Sequence, residues 1–163
     1  MTSRETFLQR WSEEAAATQR VLAAVPDKNI GWKPDPRSRS AIELSTFVAG
    51  HAPLLVMLME KGEIKAPPMD PPKSIKEAAG IFTAMFQKVE KAAKSVDDNT
   101  WDTKMTSLYA PDGKVMQSAP MGAMAWFTVF DLIHHRGQLS TYIRPMGGKV
   151  PSIYGPSADD PGR

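Results

Sequence analysis

Hydrophobic residues recur at spacings of three and four in four separate stretches of this chain, and each stretch is bounded by residues that start or stop helices. The first opens on Thr2 with Glu5 three positions later, a capping-box pattern. It carries Phe7, Trp11, Ala15, Thr18, Leu22 and Val25 on one stripe until Pro26 stops it, and leaves Arg4, Arg10, Glu13, Glu14 and Arg20 for the wet side. The second opens on Ser40 with Glu43 and runs through Leu44, Val48, His51, Leu55 and Leu58 before Gly62; Pro53 inside it is expected to kink it or loosen a turn. The third follows Pro67, Pro68, Pro71 and Pro72, an expected extended loop, and opens on Ser74 with Glu77. Its buried stripe is Ile75, Ala78, Phe82, Met85, Val89, Ala93 and Val96. The fourth runs from about Pro120 to Arg144, ended by Pro145 and Gly147-Gly148.

Between the third and fourth stretches the helical period is lost. Asp112-Gly113 there separates Met105 to Tyr109 from Lys114 to Gln117 and predicts a short hairpin. The pattern as a whole predicts an all-α protein, a four-helix bundle forming one domain over residues 1–163. Residues 150–163 form an irregular C-terminal tail unless Val150, Ile153 and Tyr154 dock it on the bundle. The loops are longer than usual helix connections, so the order of the helices, up-down-up-down or a variant with a long crossover, stays open.

Composition narrows the function. With 20 Lys+Arg against 18 Asp+Glu the net charge is +2, too small to argue for nucleic acid or a membrane surface. The absence of cysteine excludes disulfides, thiolate metal sites and a covalent cysteine intermediate. The charged N-terminus lacks an apolar leader, and the apolar stretch from Ala119 to Ile133 is too short and too polar to span a bilayer, so a cytoplasmic protein is expected. No GxGxxG, P-loop or G-x-S-x-G motif occurs.

The candidate chemistry lies in polar residues set into apolar stripes. His134 and His135 are adjacent, and Asp131 and His135 stand i, i+4 on one face of the fourth helix. The third histidine, His51, sits where the second helix asks for an aliphatic residue. Unpaired polar groups in such places are costly, so these must find partners. Two solutions are open: His51, Asp131 and His135 converge on a divalent metal such as Zn, Ni or Fe, or they satisfy one another as a hydrogen-bonded pair in the bundle interior. His134 lies about 100° round the helix from His135, and with Tyr142 it is the candidate catalytic group that orients a substrate beside the cluster. Arg136 is expected to pair with a carboxylate, a subunit contact being one place for it. Gly137 costs roughly 1 kcal/mol inside a helix relative to Ala, which asks for either a neighbouring backbone close by or a ligand that needs the room. Arg37, Arg39 and Lys33 form a small basic cluster beside prolines.

The run His134 to Leu139 (HHRGQL), the following Ser140 to Arg144 (STYIR) and Val150 to Asp160 (VPSIYGPSADD) resemble the C-terminal signature of the DinB-like family of small bacterial proteins. Trp32-Lys33-Pro34 and Ser38 to Leu44 resemble that family's lead-in to its second helix. The resemblance covers most of the chain in order. It implies a bundle with an up-up-down-down type of crossover, a homodimer, and a divalent metal held by one residue of helix 2 and an i, i+4 pair of helix 4. It further implies a small-molecule substrate and, as in thiol-dependent transferases and isomerases of the family, a low-molecular-weight thiol. The helix 4 pair lands on Asp131 and His135, with Asp131 standing where many members have His. The family's helix 2 histidine falls on Phe47, and His51 lies one turn later. One turn is about 5.4 Å, so either a shift or kink of helix 2 brings His51 to the pair, or the site is lost. The alternative function is a metal-free dimeric bundle that binds a small ligand or a protein partner in stress response; the ten methionines suit such an adaptable interior.

Overall fold

The computed structural model describes residues 1–65 and 72–162. Its helices are α1 (Ser3–Ala24), α2 (Ala41–Lys61), α3 (Ile75–Ser95), the short α4 (Asp98–Thr103) and α5 (Met121–Ile143). Local chemistry sets their ends. Thr2 and Ser40 accept the amides of Glu5 and Glu43, whose carboxylates return to the amides of Thr2 and Ser40, so both capping boxes close. Ser74 caps α3 through the amide of Glu77, but the Glu77 carboxylate takes the amide of Lys73 instead. Gly62, in the left-handed region at φ 74°, closes α2 with its amide on the Leu58 carbonyl. α2 stays helical through Pro53, although the proline has no N–H to give the Ala49 carbonyl. The extended loop predicted at Pro67, Pro68 and Pro71 lies outside the described residues.

Side-chain contacts fix the directions of the long helices. Trp11 of α1 meets Phe82 and the Phe86 carbonyl of α3, while Arg4 reaches Ala93, so α1 and α3 are antiparallel. Phe7 meets Trp126 and Glu14 meets Arg136, so α1 and α5 are parallel. Phe47 meets His135 and His51 meets Asp131, so α2 and α5 are antiparallel. The bundle is therefore up-down-down-up, not the up-up-down-down arrangement implied by the resemblance. Because α2 and α3 run the same way, the chain returns between Gly62 and Ser74.

The predicted hairpin is present as β2 (Met105–Tyr109) and β3 (Val115–Pro120), antiparallel, with Gly113 at φ 82° in its turn. A two-residue strand, β1 (Glu63–Ile64), pairs parallel with β2 and gives a sheet of order β1-β2-β3, so the protein is all-α only in its core. Trp101 of α4 is fully buried against the first turn of α5, where any Cβ on Gly122 would come within 2.4 Å of the indole nitrogen.

The most apolar long helix is α2, not the 119–133 stretch. It is the one described helix long and apolar enough to cross a membrane, yet more than half of that window is buried within the protein, as befits the central helix of a bundle. The C-terminal segment has no regular structure but is docked. Val150 and Ile153 pack on the core. Arg136 is buried in the chain's interior, paired at 2.7 Å with Glu14 of α1, and its guanidinium also donates to the Tyr154 hydroxyl, which in turn donates to the Glu14 carboxylate. The expected carboxylate partner of Arg136 is thus within its own chain, not at a subunit contact.

Candidate functional site

The cluster lies where α2 crosses α5. His51 is buried among apolar side chains of α2, and its Nδ1 donates to the Phe47 carbonyl at 2.9 Å. A carbonyl oxygen only accepts, so the proton on Nδ1 is fixed. The other nitrogen, Nε2, stands 2.8 Å from Oδ2 of Asp131. An ionised carboxylate also only accepts, so this contact requires a second proton, or another cation, at Nε2. The hydrogen bond from His51 holds the Asp131 carboxyl below its ordinary range; partial burial opposes this, and the charges of His51, His135 and His134 add to it.

His135 completes the group. Its Nε2 is 3.4 Å from Oδ1 of Asp131 and its Nδ1 donates to Oε1 of Gln138 at 2.9 Å. The Gln138 amide nitrogen donates in turn to His134 Nε2 at 3.0 Å. Both imidazoles of the cluster therefore spend Nδ1 on an oxygen and turn Nε2 toward one carboxylate, the arrangement that fixes tautomers around bound cations. The half-buried ring of Phe47 stands edge-on to His51 and His135, at 5.1 and 4.6 Å between centroids, and the Arg39 guanidinium lies 4.3 Å above it.

Three of the five predicted site residues, His51, Asp131 and His135, are thus brought together. His51 faces Asp131 directly, and Phe47, at the apparent family ligand position, instead packs against both rings. His134 sits exposed at the rim, 4.8 Å from His135 between ring centroids. Tyr142 stands about 10 Å further along α5, buried, its hydroxyl donating to the Arg39 carbonyl. Sequence reading missed Gln138 as the orienting residue, although its spacing of three and four from the two histidines was the available signal.

The donor set, two imidazole nitrogens and one carboxylate oxygen, suits a divalent transition metal. Ligands held about 2.1 Å from a tetrahedral ion lie about 3.4 Å apart. The His135 Nε2–Asp131 Oδ1 separation has that spacing, whereas His51 Nε2 lies at hydrogen-bond distance from the other oxygen, Oδ2, so His51 and Asp131 must separate before an ion can lie between them. Accordingly, among the described residues no group of three or more His, Cys, Asp or Glu is already spaced to hold a metal.

Comparison with known proteins follows the same lines. The sequence model of the DinB family matches residues 1–162. An uncharacterised protein of Bacillus subtilis strain 168, YrdA, is 24% identical over 154 residues, covering 94% of this chain and 89% of the relative. A DinB-like protein from Bacillus cereus ATCC 10987 superposes with a TM-score of 0.71 at 22% identity, covering 92% of this chain and 97% of the other. YjoA, a DinB-like protein of Bacillus subtilis, superposes at 0.65 with 16% identity, over 87% of this chain and 92% of its own. At these identities the structural likenesses speak to the fold.

Proposed function

The chain belongs to the DinB family, and from that premise and the geometry of its polar cluster we propose that it is a metal-dependent enzyme acting on a small molecule. The observation that carries this reading is that His51 and His135 each commit Nδ1 to an oxygen and turn Nε2 toward the one Asp131 carboxylate. His51, Asp131 and His135 are the residues that would hold a divalent ion such as Zn, Ni or Fe. Bound there, the ion would supply a Lewis-acid position able to polarise water or a low-molecular-weight thiol. Transfer or isomerisation using such a thiol, or hydrolysis, are the reaction classes that fit.

The chain's own residues prepare that chemistry. The Phe47 carbonyl and the Gln138 amide orient His51 and His135, which reduces the reorganisation needed on binding. The Phe47 ring packs edge-to-face against both imidazoles. His134 accepts from Gln138 at Nε2, so in its neutral form the proton is on Nδ1, at the exposed rim where a bound substrate can exchange it. Tyr142, its hydroxyl committed to Arg39, acts as a positioning residue.

Metal analysis of protein purified without a histidine tag tests the reading. About one equivalent of transition metal is expected, falling below about a tenth in His135→Ala; less than a tenth in the unmutated protein contradicts it. A second reading, a metal-free dimeric bundle that binds a small ligand or a protein partner, is favoured by the short His51–Asp131 bond as it stands. A melting temperature unmoved by EDTA and by His135→Ala would support it. Sedimentation measurements check the homodimer proposed in either case.

A further inference from the structure

One wall of a groove of about 850 Å³ is the segment Pro34 to Arg39, and the other is the C-terminal half of α5. Its volume is in the range of small-molecule sites. Among the described residues no Asp or Glu lines it, while Arg37, Arg39 and His134 do. The neighbouring basic side chains are neutralised elsewhere, Arg37 on Asp35 and Lys33 on Glu43. Arg39 is the exception: its guanidinium has no carboxylate or hydrogen-bond acceptor among the described residues and makes only the contact with the Phe47 ring.

The backbone that presents Arg39 is held firmly. Its carbonyl accepts from the buried Tyr142, and the next residue, Ser40, is locked in the capping box of α2. Gly137 opens the floor. Among the described residues no heavy atom beyond its chain neighbours and its own helix backbone lies within 4 Å of where its Cβ would stand, so no neighbouring element accounts for a glycine in mid-helix, and the missing side chain leaves space in the groove. The groove adjoins the cluster at two points: Gln138 lines it and bonds His135, and Arg39 lies on Phe47, which touches both imidazoles. A second groove, of about 670 Å³, lies beside the C-terminal segment, but its Arg20 and Asp160 already bond within that segment.

We propose that the groove binds the carboxylate end of a small organic anion, with Arg39 as its anchor, and directs the rest of that molecule toward His51, Asp131 and His135. A guanidinium matches a carboxylate through two parallel hydrogen bonds, and an unpaired one on a fixed backbone loses little freedom in making them. The inference rests on the reading of the cluster as the reactive centre, and it supplies that centre's substrate class.

The test is an NMR titration of untagged protein with succinate and, separately, with its uncharged diamide, at constant ionic strength set by chloride. Succinate is expected to move the amide signals of Arg39, Gly137 and Thr141 in a saturable way, and the diamide to leave them in place. Arg39→Gln is expected to weaken succinate binding by about tenfold or more, and Arg39→Lys, which keeps the charge, by less. Gly137→Leu, on an exposed helix face, should block the groove, and His135→Ala should leave succinate binding intact. Absence of saturable shifts with succinate, equal shifts with both compounds, or unchanged binding in Arg39→Gln would overturn the inference. Succinate binding through Arg39 in a protein that takes up no metal would leave the groove standing and remove the metal reading. Metal uptake without succinate binding would do the reverse.

Discussion

At the scale of single residues, the cluster was legible because histidine and aspartate interrupt stripes that otherwise carry only apolar side chains. What the chain could not reveal was which α2 residue faces Asp131. The axial offset between two packed helices is set by how their ridges interlock, and a one-turn difference leaves each helix's own pattern unchanged. Phe47 and His51 were therefore equivalent until α2 and α5 were seen together. Two residues away from the cluster give direct checks of the packing account. The Ser45 hydroxyl is buried without a partner among the described residues, so Ser45→Ala is expected to raise stability by about 1 kcal/mol in urea denaturation. Gly137→Ala, with open space around its new methyl, should raise helix stability by a similar roughly 0.5–1 kcal/mol. A loss of stability in either variant would show that the site has a contact absent from this account.

At the scale of elements, the four long helices and the hairpin were readable because capping residues and periodicity agreed. The segments β1 and α4 were not, since two and six residues are too few to display a period. Docking of the C-terminal segment was legible only as a condition on Val150, Ile153 and Tyr154. The polar half of that docking, Tyr154 on the buried Arg136–Glu14 pair and two aspartates on backbone amides, needed coordinates. Arg136→Met leaves the Glu14 carboxylate buried with only the Tyr154 hydroxyl and no cation, and should cost about 3–5 kcal/mol in denaturant unfolding, whereas the double variant Arg136→Met, Glu14→Leu should recover much of the loss.

The same segment gives a pH dependence. The amide of Val150 and the Arg144 guanidinium hold the Asp159 carboxyl below its ordinary value, and the amides of Ser152 and Gly162 do the same for Asp160. A carboxyl depressed in the folded state favours folding at pH above its unfolded value and loses that contribution as pH falls through its folded one. Docking should therefore hold at neutral pH and weaken only under acid conditions, below the ordinary aspartate range. The amide signals of Val150 and Ser152, followed by NMR against pH, would report it; a midpoint near neutrality would refute the assignment.

At the scale of the whole molecule, the up-down-down-up arrangement makes the site. Because α2 and α3 run the same way, α2 lies antiparallel to α5 and brings residues 47 and 51 opposite 135 and 131. Loop lengths in the sequence allowed several such arrangements, and the choice among them depends on which apolar faces bury each other best, a property of all the helices at once. The cluster of His51, Asp131 and His135, the Phe47 ring packed on it and the open groove are consequences of that choice.

The most direct measurement is a crystal structure of untagged protein grown with one equivalent of zinc, with anomalous diffraction recorded at the metal edge. One strong peak is expected about 2.0–2.2 Å from Nε2 of His51, Nε2 of His135 and a carboxylate oxygen of Asp131, with the direct His51–Asp131 bond opened. An unperturbed hydrogen bond between those two residues, with no anomalous peak beside them, would contradict a metal site there.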